Sequence, residues 1–106
     1  MSTELDQFIQ DYRGFIIIHL RHSQIESESE LDLFLKELEA KNINQIRIVQ
    51  LTAAEHKQWI QKYRIYGVPA IIVFRNGLLC MRLRGRLSVK NLKQLLQEDV
   101  FRNFNL

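Results

Sequence analysis

The chain alternates between apolar positions spaced for helices and short apolar runs of strand type. Leu5, Phe8, Ile9 and Tyr12 recur at helical spacing and predict a helix over residues 3–12. Ser2 or Thr3 can cap it, Glu4 and Asp6 suit its positive end, and Gly14 stops it after Arg13. Phe15 to Leu20 is an apolar run interrupted only by His19, the pattern of a strand buried on both faces. After the polar stretch 21–28, Ser27 or Ser29 can cap a helix running to about Ala40, with Glu28, Glu30 and Asp32 at its positive end. Leu31, Phe34, Leu35 and Leu38 form its buried stripe. Residues 46–51 read as another strand. Residues 53–64 read as a helix with Ala53, Ala54, Trp59, Ile60 and Tyr63 near one side and His56 on the surface.

Ala70 to Phe74 is an unbroken apolar run that ends at Asn76-Gly77, a pair suited to a tight hairpin. The returning strand, 78–87, should place Leu79, Met81, Leu83 and Leu87 on one face and Cys80, Arg82, Arg84 and Arg86 on a solvated one. Gly85 ends or bulges that strand. Ser88 then caps a last helix over 89–98 with Val89, Leu92, Leu95 and Leu96 inward, and 99–106 form a tail. The order α–β–α–β–α–β–β–α predicts one α/β domain over residues 1–106, with a parallel strand pair closed by an antiparallel hairpin.

Composition adds little to this picture, but charge and cysteine count change it. The net charge is +3, yet residues 1–41 carry −5 and residues 42–106 carry +8. The surface is dipolar, and the basic part offers a face to an acidic partner or to nucleic acid through Arg75, Arg82, Arg84, Arg86, Lys90 and Lys93. Interleaved aromatics, which single-strand binders use, are missing from that set, so nucleic acid is not the expected partner. One cysteine, Cys80, excludes an internal disulfide framework. No apolar run approaches the roughly 20 residues that span a bilayer, so no membrane partner is expected. The acidic start lacks the basic and apolar regions of a signal peptide, so the expected compartment is the cytoplasm. The acids at 28–32 suit a helix N-terminus, and no metal or other cofactor is expected there.

One combination of motifs resembles the thioredoxin family. Tyr63-Arg-Ile-Tyr-Gly-Val-Pro-Ala is similar to the segment through the family's cis-proline. Ile71-Ile-Val-Phe-Arg-Asn-Gly is similar to the strand and hairpin after it, and Gly85-Arg-Leu-Ser-Val-Lys-Asn-Leu to the last helix start. Locally Pro69 suits either peptide isomer, and the resemblance implies cis. It also implies a thioredoxin-like fold with a central four-stranded mixed sheet flanked by helices, the family's N-terminal strand missing. The bare edge of strand 46–51 would then invite pairing with a second copy. The family's Trp-Cys-x-x-Cys motif falls on Gln24 to Glu28, with Ile25 and Glu28 in the cysteine positions, and the family's buried acid falls on His19. Neither side chain can act as the thiolate nucleophile or the resolving thiol, so no dithiol–disulfide exchange is expected. What the resemblance leaves is a non-catalytic groove for a protein client, formed by Gln24, Ile25, Glu26 and Ser27 opposite Val68, Pro69 and Ala70, in an adaptor, assembly or chaperone-like role. The alternatives are one-thiol redox chemistry at Cys80 and the basic face.

Overall fold

The computed structural model describes residues 4–22 and 29–99. Helix α1 (Glu4–Asp11) leads into strand β1 (Phe15–Arg21), followed by α2 (Glu30–Lys41), β2 (Ile46–Thr52), α3 (Lys57–Lys62), β3 (Ala70–Arg75), β4 (Leu78–Arg84) and α4 (Val89–Asp99). The four strands form one sheet in the order β2-β1-β3-β4, with β1 and β2 parallel and the other two pairs antiparallel. The fold is the thioredoxin-like α/β arrangement that the strand pattern and its resemblance implied.

Both sheet faces are covered, which is why β1 and β3 read as continuous apolar runs. Ile16 and Ile18 pack with Ile9, Trp59, Ile72 and Phe74 under α1 and α3. Phe15 and Ile17 pack with Leu35, Leu38, Val73, Leu92 and Leu96 under α2 and α4. Ser29 caps α2 with a reciprocal bond: its side chain accepts from the Asp32 N–H while the Asp32 carboxylate accepts from the Ser29 N–H. Loss of the hydroxyl in Ser29→Ala should cost about 1 kcal/mol in denaturant unfolding. A loss near zero would show that Asp32 holds the cap alone.

The hairpin turn at Asn76-Gly77 also docks on the α1–β1 junction. The Gly14 N–H donates to Asn76 Oδ1 and the Gly14 carbonyl accepts from the Asn76 N–H, both at 2.9 Å. Gly14 has φ +134°, and a Cβ there would meet the Gln45 carbonyl oxygen at 2.7 Å. On the free side of β2, the Ile46 amide donates to the Asn42 carbonyl (2.8 Å) and the Ile48 amide to the Glu39 carboxylate (2.7 Å).

Four local expectations are corrected. The helix expected over 53–64 is broken into a 3-10 turn, Ala53–Glu55, and α3. His56 sits at the break with φ −132° and is half-buried, its Nδ1 2.9 Å from the Thr52 carbonyl, a local bond that competes with helix continuation. In α1 the apolar stripe is displaced: Phe8 is 37% exposed while Asp6 is buried. Asp6 is held there by the Tyr63 hydroxyl at 3.1 Å and by Lys62 Nζ at 3.2 Å. In β4 the alternation breaks at a bulge, since Val73 faces Met81 but Phe74 faces Leu79, leaving Cys80 as the extra residue. Leu79 therefore lies on the face opposite Met81 and Leu83. The strand ends at Arg84, so Leu87 packs from the following loop. Arg82 and Arg84 are exposed, and their guanidinium groups also donate to the Tyr63 and Tyr66 carbonyls at 3.0 and 2.9 Å. The expected tail, beyond Asp99, lies outside the described residues.

Candidate functional site: a groove beside Pro69

After α3 the chain makes two left-handed steps, Arg64 (φ +54°) and Gly67 (φ +141°), before a cis Val68–Pro69 bond opens β3. The last residue of β4 and the glycine after it hold this loop at two points. The Gly85 N–H donates to the Pro69 carbonyl (2.8 Å), and Arg84 holds the Tyr66 carbonyl. Because Ala70 pairs with Leu20, the loop stands at the end of β1 that carries His19, Arg21 and His22. α2 begins on the other side. Between them lies a cavity of about 500 Å³, walled by that end of β1, the α2 segment Ser29 to Asp32, Pro69 to Ile71, and the Gly85 to Val89 loop. Its size lies within the range of ligand pockets.

A buried polar group underlies the cavity. His19 is 6% exposed and Asp32 4%. His19 Nδ1 lies 3.2 Å from Asp32 Oδ1 but out of line for a hydrogen bond. Gln50 Nε2 donates to the same oxygen at 3.4 Å, and Arg21 Nη1 stands 4.0 Å from Asp32 Oδ2. Burial holds the imidazole below its usual pKa, against the pull of the Asp32 charge and with the push of Arg21. Burial pushes the Asp32 carboxyl up, but the Ser29 N–H, His19 and Arg21 together bring it below its usual value. The sequence pattern puts His19 in the core but marks Asp32 only as a helix-end charge. The Ser29-x-x-Asp32 spacing was the one local sign that this carboxylate points back into the protein.

Of the expected groove residues, Val68 and Pro69 are both half-exposed, but only Pro69 lines the cavity, while Val68 packs towards the α1/α3 core. Ala70 is buried, so it contributes main chain but not side chain. Gln24, Ile25, Glu26 and Ser27 lie outside the described residues. The expected basic face is divided. Arg82 and Arg84 lie over residues 63–66, whereas Arg86 lies on the loop after Gly85 and borders the cavity. Cys80 is exposed, with its Sγ 3.6 Å from the Leu78 carbonyl. It lies four residues along β4 from Arg84, roughly 13 Å from the Pro69 end of the sheet at the usual strand rise. Among the described residues no three His, Cys, Asp or Glu side chains are grouped to hold a metal, and no helix is long and apolar enough to cross a membrane.

Comparison with known proteins gives a consistent family. The thioredoxin family pattern matches residues 3–98. Human endoplasmic reticulum resident protein 44 is 30% identical over 99 residues, which is 92% of this chain and 23% of that protein. Thioredoxin Y of Oryza sativa subsp. japonica chloroplasts is 29% identical over 63 residues, 59% of this chain and 38% of that protein. The chain thus spans well under half the length of these relatives. Among solved structures, the oxidised thioredoxin of Plasmodium falciparum superposes with a TM-score of 0.72 at 20% identity, covering 92% of this chain and 91% of that one. The human endoplasmic reticulum resident protein 44 structure gives 0.65 at 22% identity, covering 92% of this chain and 31% of that one.

Proposed function

The chain belongs to the thioredoxin family, and we propose that it binds an extended segment of a protein client at the Pro69 loop without catalysing dithiol–disulfide exchange. Its single cysteine, Cys80, leaves no Cys-x-x-Cys motif, and exchange needs one thiol to attack and another to resolve. The observation that carries the reading is the state of Val68. It is half-exposed, its side chain packs towards the α1/α3 core, and its main-chain N–H and C=O have no partner among the described residues. A donor and acceptor left open in a loop clamped by Gly85 and Arg84 offer an extended segment the bonds of an added strand. The bonds from Gly85 and Arg84 hold the loop before the client arrives, which lowers the ordering cost of binding.

Affinity capture followed by quantitative mass spectrometry tests this with two variants. Val68→Asp puts a charge where the segment would lie and should weaken capture of the bound partner at least about tenfold, a change of 1.4 kcal/mol or more. Its circular dichroism should match wild type. Cys80→Ser should hold the same partner equally well. A partner retained by Val68→Asp and lost by Cys80→Ser would exchange the groove for a thiol site.

A further inference from the structure

We propose that the cavity beside Pro69 contains a carboxylate subsite in which Arg86 receives an acidic side chain of the client segment; this rests on the groove reading above and names the chemistry that groove selects. Arg86 follows Gly85, whose N–H holds the Pro69 carbonyl, so the guanidinium is carried on the same short loop that positions the proposed main-chain contacts. It is exposed, and among the described residues it has neither an ion pair nor a hydrogen bond. Arg82 and Arg84 differ on this point, since each is tied to a loop carbonyl.

Among the described residues on the cavity wall Arg21 and Asp32 offset one another, and the guanidinium open to an incoming anion is that of Arg86. Arg21 faces it from β1, and the positive end of α4 lies beside it at Ser88 and Val89. Two acids also line it. Among the described residues, Asp32 is already engaged by the Ser29 N–H, Gln50 and Arg21, which leaves Glu30 as the acid on the wall without such partners. Leu31, Ile71, Leu87 and Val89 supply apolar wall for the methylene stem of a glutamate. Guanidinium and carboxylate match as a planar, two-bond pair, so the preference is for a carboxylate rather than for negative charge in general.

Fluorescence anisotropy of the full chain with end-blocked, dye-labelled octapeptides tests the subsite. The peptides consist of valine and threonine and differ only in one central residue: glutamate, glutamine or lysine. The glutamate peptide should bind about tenfold more tightly than the glutamine peptide, a difference of 1.4 kcal/mol. Lysine should bind least. Arg86→Gln should reduce the glutamate peptide to the glutamine level and leave the glutamine peptide unchanged. Lys57→Gln, the same charge change on the opposite side of the sheet, should preserve the preference. Equal binding of the glutamate and glutamine peptides to wild type, or an equal loss of both in Arg86→Gln, would overturn the subsite while leaving the groove in place. If no peptide binds, or if Val68→Asp weakens none of them, the groove reading itself fails and the subsite fails with it.

Discussion

Phe74→Ala should cost about 3–5 kcal/mol of folding stability, the range for emptying an aromatic site in a close-packed core. Phe74 is 1% exposed on β3. Tyr63 meets its ring edge-on at 5.2 Å between centroids, and Trp59 lies at 6.3 Å. These two contacts attach α3 and the start of the Pro69 loop to the sheet, so the cavity left behind would loosen the candidate site as well as the core. Urea unfolding followed by fluorescence of Trp59, the only tryptophan, measures both effects. A loss below about 1 kcal/mol would mean that Tyr63 and Trp59 collapse into the space.

Asp32→Ala should be the second large loss, about 2–3 kcal/mol at neutral pH. Roughly 1 kcal/mol comes from the α2 cap, and about 1–2 from withdrawing the acceptor that faces Gln50 and His19. The pH dependence separates the two residues. The folded protein holds His19 below its ordinary value of 6.5, so as pH falls through 6.5 the unfolded chain takes up a proton that the native state refuses. Stability therefore declines with acid in that window. Asp32 is held below 3.8, so its own contribution persists there and is lost only at lower pH. His19→Gln should flatten the decline below pH 6.5. Asp32→Ala should deepen it, because the charge that draws a proton towards His19 is gone. Unfolding curves between pH 7 and 5 for the three proteins decide this, and identical slopes would remove His19 from the account.

The sheet was legible in the sequence because its strands are buried in two different ways. β1 and β3 lie between helices on both faces, so their runs are continuous, and the Asn76-Gly77 turn marks the return to β4. Elements organised by distant partners were not legible. Asp6 carries no local sign that Tyr63, 57 positions away, will hold it in the interior. The bulge at Cys80 is invisible to a reading by strict alternation, which assigned Leu79 to the wrong face. The helix through His56 matched the helical period, yet a ring bond to Thr52 broke it. At the candidate site, Pro69 and Val68 announced themselves through motif. Arg86 and Asp32 did not, because one was counted in a strand that stops at Arg84 and the other among helix-end charges.

The bond from the Ile48 amide to Glu39 bears on how the outer edge of the sheet can be opened. A neighbouring strand can usually be removed only by peeling away a ladder, which takes its other bonds with it. Here a single side chain of α2 occupies that place, with Arg47 Nε 3.6 Å from the same carboxylate oxygen. To turn away, the Glu39 carboxylate has to give up its 2.7 Å bond to this amide, but no strand has to unpair. Access to this amide is thus governed by a torsion about the Glu39 side chain, a latch that can release and re-engage while β2 and everything beneath it stay in place.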